Sequence, residues 1–259
     1  MGAMNEEPAA GSGQGSRGFL RSLGEIVIIA VTAVLLAIFI KTFLVQAFYI
    51  PSGSMEPGLA INDRVLVEKP SYWLGGSPER GDVVVFADPG DWIFANQIPP
   101  SPSGFRAALS KIGLYPSGDH LVKRVIGVGG DTVECCDSGR ILVNGTALDE
   151  TSFIAPTDHC DGPMTQDNGA YLAGGCKGWK AVVPKGRLFV MGDNRANSAD
   201  SSFHLCSPKR QRSTDPAIKE TCSSAYVPVS DVVGRVAAVF WPTDRFGLEH
   251  RPATFDNVD

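Results

Sequence analysis

Two serines, one lysine and a knot of polar residues carry the chemistry that this sequence offers. Ser52 and Ser54 lie in Ile50-Pro51-Ser52-Gly53-Ser54-Met55-Glu56-Pro57-Gly58. Pro51 and Pro57 fix φ and remove two backbone donors, and Gly53 and Gly58 permit angles other residues avoid. The segment cannot be mid-helix and reads as a rigid loop presenting an exposed Ser54. Lys123 lies in His120-Leu121-Val122-Lys123-Arg124-Val125-Ile126-Gly127, a strand pattern in which it shares a face with Leu121 and Val125. Burial there lowers a lysine's pKa. The run Gly192-Asp193-Asn194-Arg195-Ala196-Asn197-Ser198-Ala199-Asp200-Ser201 is too polar for a core strand and reads as a hydrogen-bonded frame. Arg80-Gly81-Asp82 opens a further strand. Taken singly, these are a linker, an edge-strand lysine and a surface turn.

Together they fit amide hydrolysis, which needs a nucleophile, a base and donors for a tetrahedral oxyanion. The histidines (His120, His159, His204, His250) are scattered and form no Ser-His-Asp pattern. A neutral lysine can take the serine's proton and return it to the leaving amine. An unperturbed lysine is only roughly 0.04% neutral at pH 7, and lowering its pKa by about two units raises that fraction about a hundredfold. No Cys-x-x-Cys pair exists and the histidines are scattered, so a structural zinc site is poorly supported; chemistry by a Ser54/Lys123 dyad is expected to use no metal and no cofactor.

The elements that must hold these residues read as short strands. Arg64–Glu68, Asp82–Phe86, His120–Val128, Leu188–Met191 and Val232–Trp241 are β-branched or apolar runs bounded by turn residues. Arg140–Val143, Asn144-Gly145 and Thr146–Leu148 form a hairpin signal; the glycosylation sequon in it is better explained as a turn. Segments 87–118, 151–184 and 203–225 lack strand character, apart from one short helix expected over Ala107–Leu114. The expected fold is mainly β, an antiparallel sheet or barrel-like body.

The 259 residues, 43% hydrophobic, can bury a sizeable core. A net charge of −5 without a basic stripe excludes nucleic acid as an expected partner. Ile26–Ile40 is apolar apart from Thr32 and, with its flanks, reaches bilayer-spanning length. Arg17 and Arg21 before it favour an inside N-terminus and an outside body. A cleaved secretory signal is the rival, with Val45-Gln46-Ala47 resembling a cleavage site, but the apolar stretch is long for that role. The expected layout is a disordered cytoplasmic tail (1–18), a transmembrane anchor (19–45) and an extracytoplasmic core (46–130 and 188–242, with insertions 87–118 and 203–225). An accessory β region (131–187) and a C-terminal tail (243–259) complete it. Six cysteines suit an oxidising compartment. Cys160/Cys176 and Cys206/Cys222 are candidate pairs, and Cys135 and Cys136 bond each other or elsewhere.

The order Ile50-Pro-Ser-Gly-Ser-Met-Glu-Pro, Arg80-Gly-Asp, Lys123-Arg-Val-Ile-Gly, Gly192-Asp-Asn-Arg-x-Asn-Ser-x-Asp-Ser and Val233-Gly-Arg-Val, after an N-terminal span, resembles bacterial type I signal peptidase. The resemblance covers about half the chain in five blocks. It implies a plasma-membrane serine endopeptidase with a Ser-Lys dyad, acting on secretory preproteins with small residues before the cut. It implies Ser54 as nucleophile, Lys123 as general base, and Ser52 with the Ser54 N–H as the oxyanion hole. Ser198 matches the serine orienting the lysine, and Asp193, Arg195 and Asp200 match framework positions. Phe48, Ile50, Met55, Leu59 and Val122 match positions lining shallow substrate pockets. Ala196, Ser202 and Gly58 depart from common residues (Asp, Arg and Thr), which leaves the partner of Asp200 open. The rivals are another Ser-Lys peptidase, such as a self-cleaving repressor, and a silent anchored binding domain.

Overall fold

The computed structural model describes residues 14–73, 75–90, 92–93, 104, 120–137, 140–155, 178–206, 210 and 213–259. The helix expected over Ala107–Leu114, the Cys160/Cys176 pair and most of the N-terminal tail lie outside the described residues. The chain divides into two units, Met1–Phe43 and Leu44–Asp259.

The first unit holds one helix, α1 (Gln14–Phe43). Within it, Leu23–Ile40 is long and apolar enough to cross a membrane, and none of that stretch is buried within the structure. Apolar side chains all round a helix have no aqueous solution except another apolar medium. The helix stops at Phe43, two residues short of the expected anchor end, because Val45 already enters a strand.

The second unit contains β1 (Val45–Tyr49), β2 (Arg64–Glu68), α2 (Pro70–Trp73), β3 (Val83–Ala87), β4 (His120–Val128), β5 (Thr132–Asp137), β6 (Arg140–Val143) and β7 (Thr146–Ala147). It continues with β8 (Trp179–Val182), β9 (Arg187–Met191), α3 (Pro216–Ser223), β10 (Val227–Pro228), β11 (Val232–Trp241) and β12 (Gly247–Leu248). The larger sheet runs β1-β2-β11-β3-β4-β9-β10, with β12 on β11; the smaller runs β7-β6-β5-β8. Their strand pairs are antiparallel. The mainly antiparallel β body is therefore as the strand patterns lead one to expect.

The main runs and the hairpin appear where their patterns place them. At the hairpin turn, Asn144 and Gly145 take φ of 51° and 83°, which suits a two-residue turn. Strands β1, β5, β8, β10 and β12 carried no such signal. In the sequence β1 follows directly on the apolar run and cannot be told apart from it, and β8 lies in a stretch expected to lack strands. Its residues gain strand character by pairing with β5, from Thr132↔Val182 to Cys135↔Trp179.

The two sheets share one core. Ile126, Phe189 and Met191 of the larger pack in a cluster with Val133, Ile141, Val143 and Ala181 of the smaller. Phe255 and Val258 join that cluster. Residues 243–259 are thus not a loose tail. Burying each such side chain contributes about 1.5–3 kcal/mol, enough to hold the segment down. Arg80 ties it further, pairing with Asp131 and donating to the Val258 carbonyl at 2.7 Å.

A second cluster holds Phe48, Ile50, Met55 and Leu59 with Val65, Val67, Val83 and Val85. It lies under the Ser54 loop. Cys206 and Cys222 are bonded, closing a loop that takes in most of α3, and Cys135 is also in a disulfide.

Candidate active site

Ser54 sits in a single 3₁₀ turn, Gly53–Met55, between β1 and β2. Proline on either side bars a longer helix. The turn is fastened from several directions. The Ile50 N–H donates to the Asp63 carbonyl and the Asn62 N–H to the Ile50 carbonyl, each at 2.9 Å. Buried Asp63 accepts from Ala60 N–H and pairs with Arg245, whose guanidinium also donates to the Gly58 carbonyl at 3.0 Å. The Asn194 N–H reaches the Ser54 carbonyl at 3.1 Å, and its side-chain amide the Gly53 carbonyl at 3.0 Å.

The expectation of an exposed loop hydroxyl needs correcting: Ser54 is only 7% exposed. Met55 and Leu59 pull the loop down onto the apolar cluster. Burial leaves Ser54 Oγ 2.5 Å from Lys123 Nζ.

Lys123 lies on β4 opposite Val84 and is 3% exposed. Burial pushes its pKa from 10.5 down to about 8, although the charges of Asp200 and Asp193 pull the other way. Among the described residues no carboxylate lies within ion-pair distance of its amine. The amine therefore spends a useful fraction of its time neutral near neutral pH.

Ser52 is exposed, with its hydroxyl 3.4 Å from Ser54 Oγ. Ser198 Oγ donates to Asp200 Oδ2 at 2.6 Å and makes no hydrogen bond to Lys123. It lies close by nonetheless. A Cβ added at Gly192 would collide with both the Ser198 hydroxyl and the Ser54 carbonyl, so glycine is required where β9 ends.

The framework residues separate into distinct partnerships. Asp193 is held by Arg124 in a two-point pair of 2.9 and 2.7 Å. Arg195 pairs with Glu150 and donates to the Gly192 carbonyl at 2.9 Å. Among the described residues Asp200 meets no arginine. Its carboxylate accepts from Gly192 N–H, Ser198 Oγ, and the N–H and hydroxyl of Ser202.

The five proposed pocket residues do gather together. Ile50, Met55 and Leu59 are almost wholly buried, whereas Val122 keeps partial exposure and Phe48 a little. The Phe48 ring lies 5.4 Å from that of His120, so β1 and the start of β4 approach each other here.

Several supporting residues had no legible sequence signal. Arg124 stands in a quoted motif, but its partners Asp193 and Glu249 are far away in the chain. Asn194 likewise stands in a quoted motif without a sign of its partners, and Glu150 and Arg245 were silent, since nothing local marks a long-range partner.

Comparison with known proteins agrees with this geometry. Residues 23–241 match the family described as signal peptidase, peptidase S26. Signal peptidase I of Mycobacterium tuberculosis (strain H37Rv) is 38% identical over 240 residues, spanning 88% of this chain and 75% of the relative. A probable signal peptidase I of Mycobacterium leprae is 38% identical over 242 residues, spanning 87% and 78%. A probable signal peptidase I-2 of Synechocystis is 36% identical over 218 residues, spanning 84% and 73%. A serine and a lysine buried against each other on an antiparallel β body, and matches running through nearly all of that body, lead to one conclusion: this chain belongs to the signal peptidase family, peptidase S26.

Proposed function

We propose that the chain is a membrane-anchored serine endopeptidase that removes signal peptides from exported preproteins, with Ser54 as nucleophile and Lys123 as its base. The 2.5 Å contact between Ser54 Oγ and a buried, charge-poor Lys123 Nζ carries this reading. The neutral amine takes the Ser54 proton as Oγ bonds to the scissile carbonyl carbon. The oxyanion is met by the Ser54 N–H and the Ser52 hydroxyl. As the C–N bond breaks, the Lys123 ammonium returns the proton to the leaving amine. The neutral lysine then activates water to hydrolyse the acyl ester.

Ser198 donates its proton to Asp200, so its lone pairs remain free to accept from the Lys123 amine. Asp193 and Arg195 brace the loop around it. The substrate lies extended. β9 pairs only with Arg124–Val128 of β4, leaving Leu121–Lys123 without a strand on that side among the described residues. β1 is likewise an edge strand of the larger sheet. A signal-peptide segment can add between them, with small side chains set against Phe48 and Val122 and the floor formed by Ile50, Met55 and Leu59.

The membrane reading rests on α1. On this reading the N-terminus of α1 lies in the cytoplasm and the β body outside, a setting that suits the Cys206–Cys222 bond. Protease added to spheroplasts should then digest the body, and full protection would reverse the orientation. The decisive chemical test is cleavage of an Ala-x-Ala peptide. Wild type should cut after the second alanine, and Ser54→Ala and Lys123→Arg should not. Normal turnover by either variant would remove the dyad.

A further inference from the structure

Asp200 is 2% exposed, and its carboxylate has no ion-pair partner among the described residues. Gly192 N–H, Ser198 Oγ, and the N–H and hydroxyl of Ser202 are its donors. A buried carboxylate costs free energy unless its hydrogen-bond donors stay in place. All but the Gly192 N–H belong to its own loop, so whatever fixes the loop fixes the carboxylate.

Two attachments fix it. Ser201 exchanges hydrogen bonds with Val190 of β9, at 2.9 and 3.1 Å. His204 reaches the Asp200 carbonyl with its N–H at 3.2 Å and its ring Nδ1 at 2.8 Å. A carbonyl only accepts, so Nδ1 bears the proton. Burial pushes the His204 pKa down, which keeps that neutral form. Among the described residues, the charges acting on His204 are those of Asp200 and Asp88.

The His204 ring lies flat on Trp92, with centroids 4.6 Å apart and an interplanar angle of 1°. Trp92 is a firm platform. Its edge packs on Phe86, its N–H is held by Asp88 at 3.1 Å, and its indole N–H donates to the Ser224 carbonyl at 2.9 Å. His204 stands two residues before Cys206 and Ser224 two residues after Cys222. Trp92 therefore touches both ends of the disulfide-closed loop.

We propose that His204, seated on Trp92, is a positioning residue for the reaction: it holds Asp200 so that the carboxylate orients Ser198 beside Lys123. This rests on the Ser54/Lys123 reading above. The pairing suits the task, because a histidine offers both a planar face for the indole and an N–H for the carbonyl. Among the described residues Asp200 has no arginine to anchor it, and the aromatic clamp supplies a restraint from the backbone side.

The test is the pH profile of kcat/KM, with kcat, KM and Tm, for purified full-length His204→Ala. Loss of the clamp should lower kcat roughly tenfold, a misplacement effect on the reacting groups, and change KM less. The midpoint should move to lower pH, since the Asp200 charge that raises the Lys123 pKa draws away. A lower Tm with wild-type kcat and midpoint would make His204 a structural residue only and overturn the proposal. Should His204→Ala fail to fold, Trp92→Phe and Trp92→Leu decide. The first keeps a flat platform and should recover most of the rate that the second loses, and equal rates and midpoints in the two would overturn the proposal. Lys123→Arg run alongside separates the two levels. If it retains activity, the dyad reading fails and this proposal with it. If it is dead while His204→Ala behaves as wild type, only the positioning role falls.

Discussion

Lys123 and Arg124 are neighbours on β4, both buried and both basic, yet the two faces of the strand treat them in opposite ways. Register places Lys123 opposite Val84 and Arg124 opposite Val83, on opposite sides of the sheet. On one face, Arg124 grips Asp193 at two points, meets Glu249 at 3.1 Å, donates to the Gly81 carbonyl and lies over the Phe153 ring. Burial works against its charge, but Asp193 and Glu249 outweigh it, and its proton is held more tightly than in water. On the other face, among the described residues, Lys123 meets one hydroxyl and no carboxylate at ion-pair distance, and burial prevails. The difference teaches that burial alone does not make a base. A buried cation with its counter-ions becomes scaffold, and one denied them becomes able to lose its proton.

Exchanging the character of the two residues should break the comparison most visibly. Lys123→Arg puts a group that cannot deprotonate beside Ser54. Turnover should fall by at least ~10³-fold, as should that of Ser54→Ala, and single-turnover peptide cleavage measures both. On the other face, Arg124→Met leaves Asp193 buried and unpaired. Breaking one side of such a pair costs about 3–5 kcal/mol, to be read from denaturant unfolding of the detergent-solubilised protein. A loss below about 1 kcal/mol would mean Arg124 is not the scaffold described.

The pH dependence sharpens the same contrast. The folded pKa of Lys123, about 8, lies below its ordinary 10.5. Activity should rise with pH through a midpoint near 8 and fall away in acid as the amine becomes protonated. For stability the sign is a penalty. At pH below 8 the native state must either hold a buried charge or shed a proton that the unfolded chain keeps. The penalty fades as pH rises from 8 toward 10.5. Lys123→Met should therefore be inactive but about 2–3 kcal/mol more stable at pH 7, with the advantage gone by pH 10.5. A variant equally stable at both pH values would place Lys123 in a wetter site. Glu249→Gln should matter least. Burial already raises the Glu249 pKa against the pull of Arg124, so its charge adds little net stability. About 1 kcal/mol is expected, and a loss as large as that of Arg124→Met would show that Glu249, rather than Asp193, anchors the arginine.

Much of this was legible in local sequence. Alternation and β-branching marked the principal strands, Asn144-Gly145 marked the hairpin, and the apolar run around Leu23–Ile40 marked α1. The motif order pointed to Ser54, Lys123 and the 192–201 loop. Strands without alternation of their own, such as β8, became strands only through their partners. The Cys206–Cys222 pair was one of several open choices until the loop was folded.

What the sequence by itself determined is the set of chemical groups and the elements that carry them: a serine on a proline-bounded turn, a lysine in an apolar strand, and a polar loop after a strand. Those follow from short-range rules of φ restriction and period-2 patterning, which act over a few residues. Only the tertiary structure decided how far each group is removed from water and which charge it meets. Ser54 went from an expected exposed hydroxyl to a buried one because Met55 and Leu59 draw its loop onto the core. Asp193 fell to Arg124 and Asp200 to hydroxyls and backbone. Residues 243–259 folded back to supply Glu249 and Phe255. Desolvation and ion pairing depend on neighbours that are distant in the chain, and in β4 they separate a base from a scaffold residue one position apart.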